Sequence, residues 1–357
     1  MKIILFTDSL GVGGAQRQLV GLAKLLKYKN YNVKVCTYHN IDFYKNLLVE
    51  NGIVNDVIYS KKYILRIFAV TKYLKKENPD WVIAYQESPS LIACLAKLLG
   101  GKFKLMVSER NTTQYIGINE KIRFFLYRFS NKIVPNSFSQ EKFIKDNYPN
   151  LFNKITTITN FVDLDKFSYF PKEQNNIIPL IVVAASIWSP KNTLGLIEAV
   201  RILSEKKYSF KIEWYGIVKG HEQYLDKCNE LINIYKLHAY IELLPKTNEI
   251  HEKYKSCDYF CLPSFYEGTP NVICEAISTG RPVICSNVCD NPIYVKENHN
   301  GFLFDPNNPK DIANKIEQAL LLSAKDYYIM CRNSRVLAED LLSENNFVNK
   351  YIELFNN

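Results

Sequence analysis

Two glutamates stand eight positions apart around a short polar turn. Glu267 precedes the turn of residues 268–271, which reads Gly-Thr-Pro-Asn, and Glu275 follows it. Residues 258–262 are the apolar run of a buried strand, and residues 271–278 have the pattern of a helix that ends at a glycine. The order strand, tight loop and helix leaves unpaired amides at the helix start. Such amides, with the positive end of the helix dipole, can hold a phosphate.

The spacing of the two carboxylates suits the two ends of one polar ligand. Eight positions are too many for a metal pair on one helix face. One acid can accept hydrogen bonds from sugar hydroxyls and the other from ribose hydroxyls, with a diphosphate over the amides between them. A nucleotide sugar has this form. The alternative interpretation is that Glu267 is a solvated loop residue and Glu275 an acid on a helix surface.

The wider motif resembles the signature of the retaining GT-B glycosyltransferases of family 4, in which two glutamates are separated by seven residues. Residues 267–276 read Glu-Gly-Thr-Pro-Asn-Val-Ile-Cys-Glu-Ala, and residues 280–283 read Gly-Arg-Pro-Val. The resemblance covers nearly the whole chain. It includes, in order, a glycine-rich first loop (residues 13–17), an interdomain segment (160–163 with Phe167), a Pro190-Lys191-Asn192 loop and an Asn-Gly-Phe turn (300–304).

This resemblance implies an α/β protein of GT-B fold, with two Rossmann-like domains that face each other across a cleft. A C-terminal helix is expected to cross back to the first domain, and residues 346–355 carry an apolar helix face. We predict an N-terminal acceptor-binding domain (residues 1–170), a C-terminal nucleotide-sugar-binding domain (171–340) and the terminal helix (341–357). The polar, proline-bounded segment 170–179 is the predicted linker.

The alternation of short β runs with helical stretches agrees with parallel sheets flanked by helices. The predicted strands of the first domain are residues 2–7, 33–37, 81–84, 104–107 and 133–135, and those of the second are 180–185, 211–215, 259–262 and 283–286.

By resemblance, the site residues fall into two groups. The catalytic group is Glu267, Lys191 and Arg110, in which Lys191 meets the donor diphosphate. The donor-binding group is Gly13, Gly14, Arg17, Gly268, Thr269, Pro270, Asn271 and Glu275.

Two departures from the family pattern affect this site. Ser186 stands where a basic residue usually precedes the lysine by five positions, so Arg17 and Arg110 are candidates to replace it. The histidine that usually follows the strand at residues 105–107 is absent. In its place residues 108–111 read Ser-Glu-Arg-Asn, a variant that we associate with enzymes that build bacterial surface polysaccharides.

The resemblance therefore implies a retaining glycosyltransferase that moves a sugar from a nucleotide sugar, with UDP favoured, to a lipid-linked or oligosaccharide acceptor. The expected product is a bacterial lipopolysaccharide, capsule or exopolysaccharide. No cofactor or metal is expected, because the Asp-x-Asp at residues 163–165 lies in the interdomain segment. Two alternatives stay open: a GT-B nucleotide-sugar epimerase and a non-catalytic partner subunit. An NAD site in the first loop is disfavoured, because the third glycine and the acidic residue after the second strand are missing.

Composition agrees with an intracellular two-domain protein of 357 residues. Cysteines lie in apolar stretches without Cys-x-x-Cys spacing, which favours buried, reduced thiols. No apolar run is long enough to span a membrane, and the first strand is too short and too soon acidic for a signal peptide. We expect a cytoplasmic protein that can attach peripherally to the inner face of the membrane.

The whole excess of positive charge lies in the first domain. Residues 1–170 contain 25 Lys and Arg against 13 Asp and Glu, and the remaining residues contain 20 against 23. The densest stretches are residues 61–76 and 120–129. In the second, a core stripe of Ile122, Phe125, Leu126 and Phe129 is predicted, with Phe124 and Tyr127 left among the arginines.

These stretches are predicted to lie on anionic lipid through Lys61, Lys62, Lys121, Arg123 and Arg128. The alternative is a solvated surface whose aromatic residues are covered by neighbouring loops. No nucleic-acid recognition motif accompanies the charge.

Overall fold

The computed structural model describes residues 1–60, 62–171 and 178–356, and the chain divides into two compact units. Unit 1 comprises Met1–Phe161 and Glu344–Asn357, and unit 2 comprises Val162–Ser343. The first segment of unit 1 ends at Phe161, nine residues before the predicted boundary at 170. Most of the predicted linker, residues 172–177, lies outside the described residues.

Unit 1 is built on a six-stranded parallel sheet in the order β3-β2-β1-β4-β5-β6. Its strands are β1 (Lys2–Phe6), β2 (Asn32–Thr37), β3 (Val54–Val57), β4 (Trp81–Tyr85), β5 (Lys104–Glu109) and β6 (Lys132–Pro135). Its helices are α1 (Gly14–Tyr28), α2 (Lys45–Glu50), α3 (Tyr63–Glu77), α4 (Glu87–Leu98), α5 (Ile118–Tyr127), α6 (Phe138–Asn147) and α14 (Glu344–Asn356).

The unit 1 sheet is covered on both faces, which explains why β1 reads as a continuous apolar run. Alternate residues of β1 enter two separate cores: Ile3 and Leu5 face α1 and α14, whereas Ile4 and Phe6 face α3, α4 and α5. The terminal helix α14 therefore belongs to unit 1, as predicted. It buries Phe347, Val348, Tyr351, Leu354 and Phe355.

Unit 2 repeats the architecture with a parallel sheet in the order β12-β11-β10-β7-β8-β9. Its strands are β7 (Leu180–Ala184), β8 (Lys211–Ile217), β9 (Ile241–Pro245), β10 (Tyr259–Leu262), β11 (Val283–Ser286) and β12 (Gly301–Phe304). Its helices are α7 (Thr193–Glu205), α8 (Glu222–Ile234), α9 (Ile250–Ser256), α10 (Asn271–Ser278), α11 (Asn291–Tyr294), α12 (Pro309–Leu320) and α13 (Ala324–Leu342).

The nine predicted strands are all present, and the structure adds β3, β9 and β12. The added strands lie at sheet edges, and polar residues interrupt the apolar run in β3 and β9. The segment read as a late Asn-Gly-Phe turn is largely strand β12. Eight cysteines are buried free thiols, in agreement with the sequence, and Cys289 is exposed.

The prediction for α5 was wrong in orientation. The helix buries Arg123, Phe124 and Tyr127, whereas Ile122 and Phe125 are more than half exposed. Both sets of residues have helical spacing. The buried set prevails because Arg123 has carboxylate partners beneath it, Glu87 and Glu109. Within the described residues, every helix is too short or too polar to cross a bilayer.

Candidate active site

The site in unit 2 lies where the order of the parallel strands reverses. Strands β7 and β10 are neighbours at the centre of the sheet, and the chain proceeds outward from them in opposite directions. Loops that follow such a strand pair diverge and leave a crevice at the carboxyl edge, which is the usual ligand site of open α/β sheets. Lys191 follows β7 and Glu267 follows β10.

The structure brings Lys191 and Glu267 together, as the sequence motif implied. Lys191 Nζ donates to Glu267 Oε1 at 2.5 Å, and the two side chains retain 22% and 13% of their exposure. The loops are also joined through their backbones, since Phe265 N donates to Pro190 O at 3.0 Å. The interpretation of Glu267 as a freely solvated loop residue is therefore wrong. A positive charge and a carboxylate share the mouth of the crevice.

The loop before Lys191 is held against β8 by residues that the sequence analysis did not single out. Trp214 Nε1 donates to Ala185 O at 2.6 Å, and Ile187 N donates to Gly216 O at 3.0 Å. A Cβ on Gly216 would lie 1.7 Å from Ala185 O, so only glycine fits there. A glycine in a strand between apolar residues was the available signal.

Asn192 fixes the other side of Lys191. It adopts a left-handed conformation with φ of 57°, which asparagine tolerates better than most residues, and it begins α7. Its side chain is buried and donates from Nδ2 to Pro306 O at 2.8 Å. Lys191 is the last residue of a short 3-10 turn, and Asn192 joins this turn to α7.

Helix α10 has the predicted bounds and begins directly after the Gly268-Thr269-Pro270 turn. Pro270 O accepts from the amides of Ile273 and Cys274, so the first amides of the helix, those of Asn271 and Val272, precede the intrahelical ladder. Gly268 and Asn271 are half-buried, whereas Thr269 and Pro270 are buried. The predicted phosphate-binding residues thus lie on one short turn beside Glu267.

Glu275 is a buried residue, not an acid on a helix surface. It is 4% exposed, and Tyr254 Oη of α9 donates to its Oε2 at 3.3 Å. Burial of a carboxylate is costly unless it is hydrogen-bonded. Its predicted role with ribose hydroxyls stays a prediction.

An aromatic pair stands beside the same edge. The rings of Trp188 and His221 are stacked, with centroids 5.4 Å apart, on the loops that follow β7 and β8. Both residues are half-buried. His221 occupies the position before α8. Its stacking on Trp188 was not visible from sequence.

In unit 1 the glycine-rich loop follows β1, again beside the strand pair where the order reverses. Asp8 Oδ1 accepts from Ser9 N at 2.6 Å and from Gln16 Nε2 at 3.2 Å. The helix α1 begins within the predicted loop of residues 13–17, so Gly14 and Arg17 lie in its first turn and Gly13 is its extended N-cap residue. Gly13 and Gly14 therefore present backbone at the helix start.

Arg110 is held by side chains of unit 1. Its guanidinium donates to Asn160 Oδ1 at 2.9 Å and to Tyr351 Oη of α14 at 2.8 Å, and it stacks on the ring of Tyr85. The hydroxyls of Tyr85 and Tyr351 are 2.9 Å apart. Arg110 thus links the end of β5 to the terminal helix. Its catalytic role stays a prediction.

A buried acid precedes Arg110. Glu109 accepts from the hydroxyl of Tyr127 and from Gln140 Nε2 at 3.4 Å, and Arg123 Nη1 is 3.7 Å from its Oε2. Burial raises the pKa of Glu109, and the charge of Arg123 opposes that rise. Arg123 also pairs with Glu87 and donates to Thr113. This cluster fixes the start of the loop that follows β5.

In the parts of the chain that the structure describes, no group of three or more His, Cys, Asp or Glu is placed to hold a metal ion. The Asp163 carboxylate accepts from the amides of Asp165 and Lys166, so the Asp-x-Asp pair organises a turn. Metal-free transfer stays a prediction.

Two Rossmann-like units, one with a lysine–glutamate pair at its central crevice, define a GT-B glycosyltransferase. Comparison with family models identifies the family. The model described as glycosyl transferases group 1 matches residues 165–335, and the model described as glycosyltransferase family 4 matches residues 12–166. The chain belongs to this family of glycosyltransferases.

Individual relatives are distant but cover most of the chain. An alpha-1,4-N-acetyl-D-galactosaminyltransferase of Campylobacter jejuni, named for a GalNAc- and diNAcBac-containing PP-undecaprenol, is 26% identical over 90% of this chain and 89% of its own. An Escherichia coli galactosyltransferase, named for UDP-Gal and GlcNAc-diphosphoundecaprenol, is 26% identical over 75% of this chain and 73% of its own.

Solved structures support the fold. A glycosyltransferase from Rickettsia africae superposes with a TM-score of 0.86 at 20% identity and covers 99% of this chain and 97% of its own. HepE of Anabaena, solved in complex with UDP, also has a TM-score of 0.86, at 18% identity, with full coverage of both chains.

Proposed function

We propose that this protein is a retaining glycosyltransferase that moves a sugar from a UDP-sugar to a lipid-linked glycan during synthesis of a bacterial surface polysaccharide. The observation that carries the proposal is the Lys191–Glu267 pair at the reversal point of the unit 2 sheet. It combines a cation for a leaving diphosphate with a carboxylate for a donor sugar.

The leaving group is the first chemical requirement. Departure of a diphosphate places negative charge on phosphate oxygens, and fixed donors in a crevice stabilise that charge. Lys191 would provide the cation. The amides of residues 268–271 and the start of α10 would provide hydrogen bonds and the helix dipole. Without a basic residue at Ser186, the proposal assigns Arg17 and Arg110 as the candidate additional cations.

Positive charge develops on the anomeric carbon at the same time. In this proposal Glu267 orients the donor sugar and opposes that charge, while Glu275 accepts from the ribose hydroxyls. Gly13 and Gly14 let the backbone of unit 1 approach the donor closely. The acceptor hydroxyl attacks from the face that the diphosphate leaves, and a phosphate oxygen takes its proton, so retention needs no covalent glycosyl-enzyme.

The nature of donor and acceptor is inferred from the relatives. HepE was solved with UDP, and the Escherichia coli relative is named for UDP-Gal. The Campylobacter jejuni and Escherichia coli relatives are both named for undecaprenol-linked acceptors. These names favour a UDP-sugar and a polyprenyl diphosphate glycan for this chain.

The proposal is tested by a panel of UDP-, GDP- and ADP-sugars, measured first by thermal stabilisation. A ligand at 100 times its Kd adds roughly 2.7 kcal/mol to the free energy of unfolding. The stabilising donor is then incubated with undecaprenyl diphosphate-linked glycans, and the anomeric configuration of the product is determined by NMR. We expect stabilisation by a UDP-sugar and transfer with retention.

The same assay separates the proposal from its alternatives. An epimerase converts the donor or releases nucleotide without an acceptor, and a non-catalytic subunit binds the donor without turnover. Transfer with inversion, or no stabilisation by any nucleotide sugar, contradicts the proposal.

A further inference from the structure

Helices α3, α4 and α5 lie side by side over one face of the unit 1 sheet and leave an unusual outer surface. On α3, Ile64, Leu65 and Phe68 are 67%, 56% and 57% exposed. On α5, Ile118, Ile122 and Phe125 are 77%, 51% and 56% exposed. We call this set, with the basic residues between them, the α3–α5 surface.

The six apolar residues form one face on each helix. Ile118, Ile122 and Phe125 have the spacing i, i+4 and i+7, and Ile64 and Phe68 are four apart. Single exposed apolar residues are common on proteins, whereas a contiguous set marks an interaction site. Between them, Leu91 and Leu95 of α4 are half-buried, so α4 does not interrupt the apolar character.

The charge of this surface has one sign. The exposed cations on or beside α3 and α5 are Lys62, Lys72, Lys75, Lys76, Lys121 and Arg128. The three helices contain only three carboxylates, and each is engaged. Glu77 pairs with Lys2 and Lys34, Glu87 pairs with Arg123, and Glu120 accepts from Gly117 N.

Apolar and basic residues are also ordered along α3. The amino ends of α3 and α5 follow the carboxyl ends of β3 and β5, at the edge of the sheet that carries the glycine-rich loop and Arg110. The apolar residues of α3 lie in its first half and the lysines in its second half. The apolar part is therefore nearest to the edge where unit 1 would receive an acceptor.

We propose that the α3–α5 surface docks on an anionic lipid bilayer. The apolar side chains enter the interfacial region, and the lysines and Arg128 contact anionic headgroups. This deepens the proposed function, because docking presents the acceptor edge of unit 1 to a glycan that is anchored in the same membrane. Charge complementarity selects this occupant: the surface offers cations without free carboxylates, a match for anionic lipid and a mismatch for a second copy of itself.

Two of the five basic residues that the sequence predicted to contact lipid are not part of this proposal. Arg123 is 3% exposed and pairs with Glu87 and Glu109, so it cannot contact a headgroup. Lys61 lies outside the described residues. The apolar residues Ile122 and Phe125, predicted to be core, become part of the membrane contact.

Vesicle sedimentation tests the proposal without donor or acceptor, so its result is independent of the glycosyltransferase assay. The protein is mixed with phosphatidylcholine vesicles and with vesicles that contain about one third phosphatidylglycerol. An apolar variant carries Ile64→Ser, Phe68→Ser, Ile122→Ser and Phe125→Ser. A charge variant carries Lys72→Gln, Lys75→Gln, Lys121→Gln and Arg128→Gln.

A matched control carries Leu321→Ser, Tyr328→Ser, Ile329→Ser and Val336→Ser, which are similarly exposed residues of unit 2. We expect the wild type and this control to bind the vesicles that contain phosphatidylglycerol and not the vesicles of phosphatidylcholine. The apolar variant should lose at least about tenfold in partition coefficient, and the charge variant about fivefold for each removed cation. Circular dichroism melts verify that each variant folds.

Three results overturn the proposal. Equal partition of the wild type and the apolar variant shows that the exposed apolar side chains do not enter the bilayer. Failure of the wild type to bind anionic vesicles excludes an anionic bilayer as the partner of the α3–α5 surface. A wild-type dimer in sedimentation velocity that the apolar variant abolishes assigns the surface to a second copy of the chain.

Discussion

At the residue scale, the charge of Lys191 is balanced by Glu267, 2.5 Å away. A diphosphate would compete with this carboxylate for the lysine. In the proposed mechanism Glu267 would then orient the donor sugar, while the diphosphate would take its place beside Lys191.

Lys191→Ala and Glu267→Ala should each lower kcat by about 100-fold, the effect of removing one preorganised electrostatic contact. The matched control is Lys206→Ala, which removes a lysine that is also 2.5 Å from a glutamate, Glu317, on the unit 2 surface. Steady-state transfer rates measure all three variants. Near-normal rates for both site variants, with folding intact, would refute the site assignment.

Gly216→Ala should destabilise the protein by about 1–3 kcal/mol, because its Cβ would overlap Ala185 O and push the Lys191 loop from β8. Urea unfolding monitored by tryptophan fluorescence measures the change. Gly11→Ala is the control, since a Cβ there meets only ordinary contacts from 3.4 Å. Equal stability of the two variants would show that the loop moves without cost.

At the element scale, the central strands could be predicted because each is buried on both faces and reads as an apolar run. The edge strands β3 and β9 contain Asn, Asp or Glu and are paired on one side only, so their apolar pattern is weak. Helix α10 was predicted at its observed bounds by its motif. The face of α5 could not be predicted, because the partners of Arg123 come from β5 and α4, far along the chain.

Glu77 ties three elements together, since its carboxylate at the end of α3 pairs with Lys2 of β1 and Lys34 of β2, each at 2.8 Å. These two lysines lower the pKa of Glu77 from 4.5 to about 2. A folded-state pKa below the unfolded one stabilises the protein above pH 4.5, and this contribution is lost as the pH falls towards 2.

Glu77→Gln should therefore lower the free energy of unfolding at pH 7 by about 1 kcal/mol, a modest value because the pair is partly solvated. The difference from wild type should shrink as the pH falls below 4.5. Urea unfolding between neutral pH and the acid limit of folding measures it. A difference that is independent of pH would mean that the substitution acts through packing and not through charge.

At the scale of the whole molecule, the chain makes two units with separate cores, and one of them is completed only by the last helix. The sequence indicated this return through the apolar face at residues 346–355 and through the family resemblance. The structure identifies its partners: Phe347 packs on Phe161, Phe355 packs on Trp81 and Tyr31, and the Tyr351 hydroxyl accepts from Arg110. The end of the chain therefore supports the residue that follows β5.

Deletion of residues 344–357 should unfold unit 1 and leave unit 2 folded. The helix buries five large apolar side chains in the unit 1 core, at roughly 1.5–3 kcal/mol each, which matches or exceeds the stability of an ordinary domain. Hydrogen exchange followed by mass spectrometry should show protection lost within residues 1–161 and kept within 162–343. Lys350→Ala with Glu353→Ala is the control, because both residues are on the exposed face of α14.

Unit 2 has two cores of its own, and neither contains a residue of α14. Loss of protection in both units would mean that they fold as one cooperative body, and intact protection in both would mean that α14 contributes little to the unit 1 core.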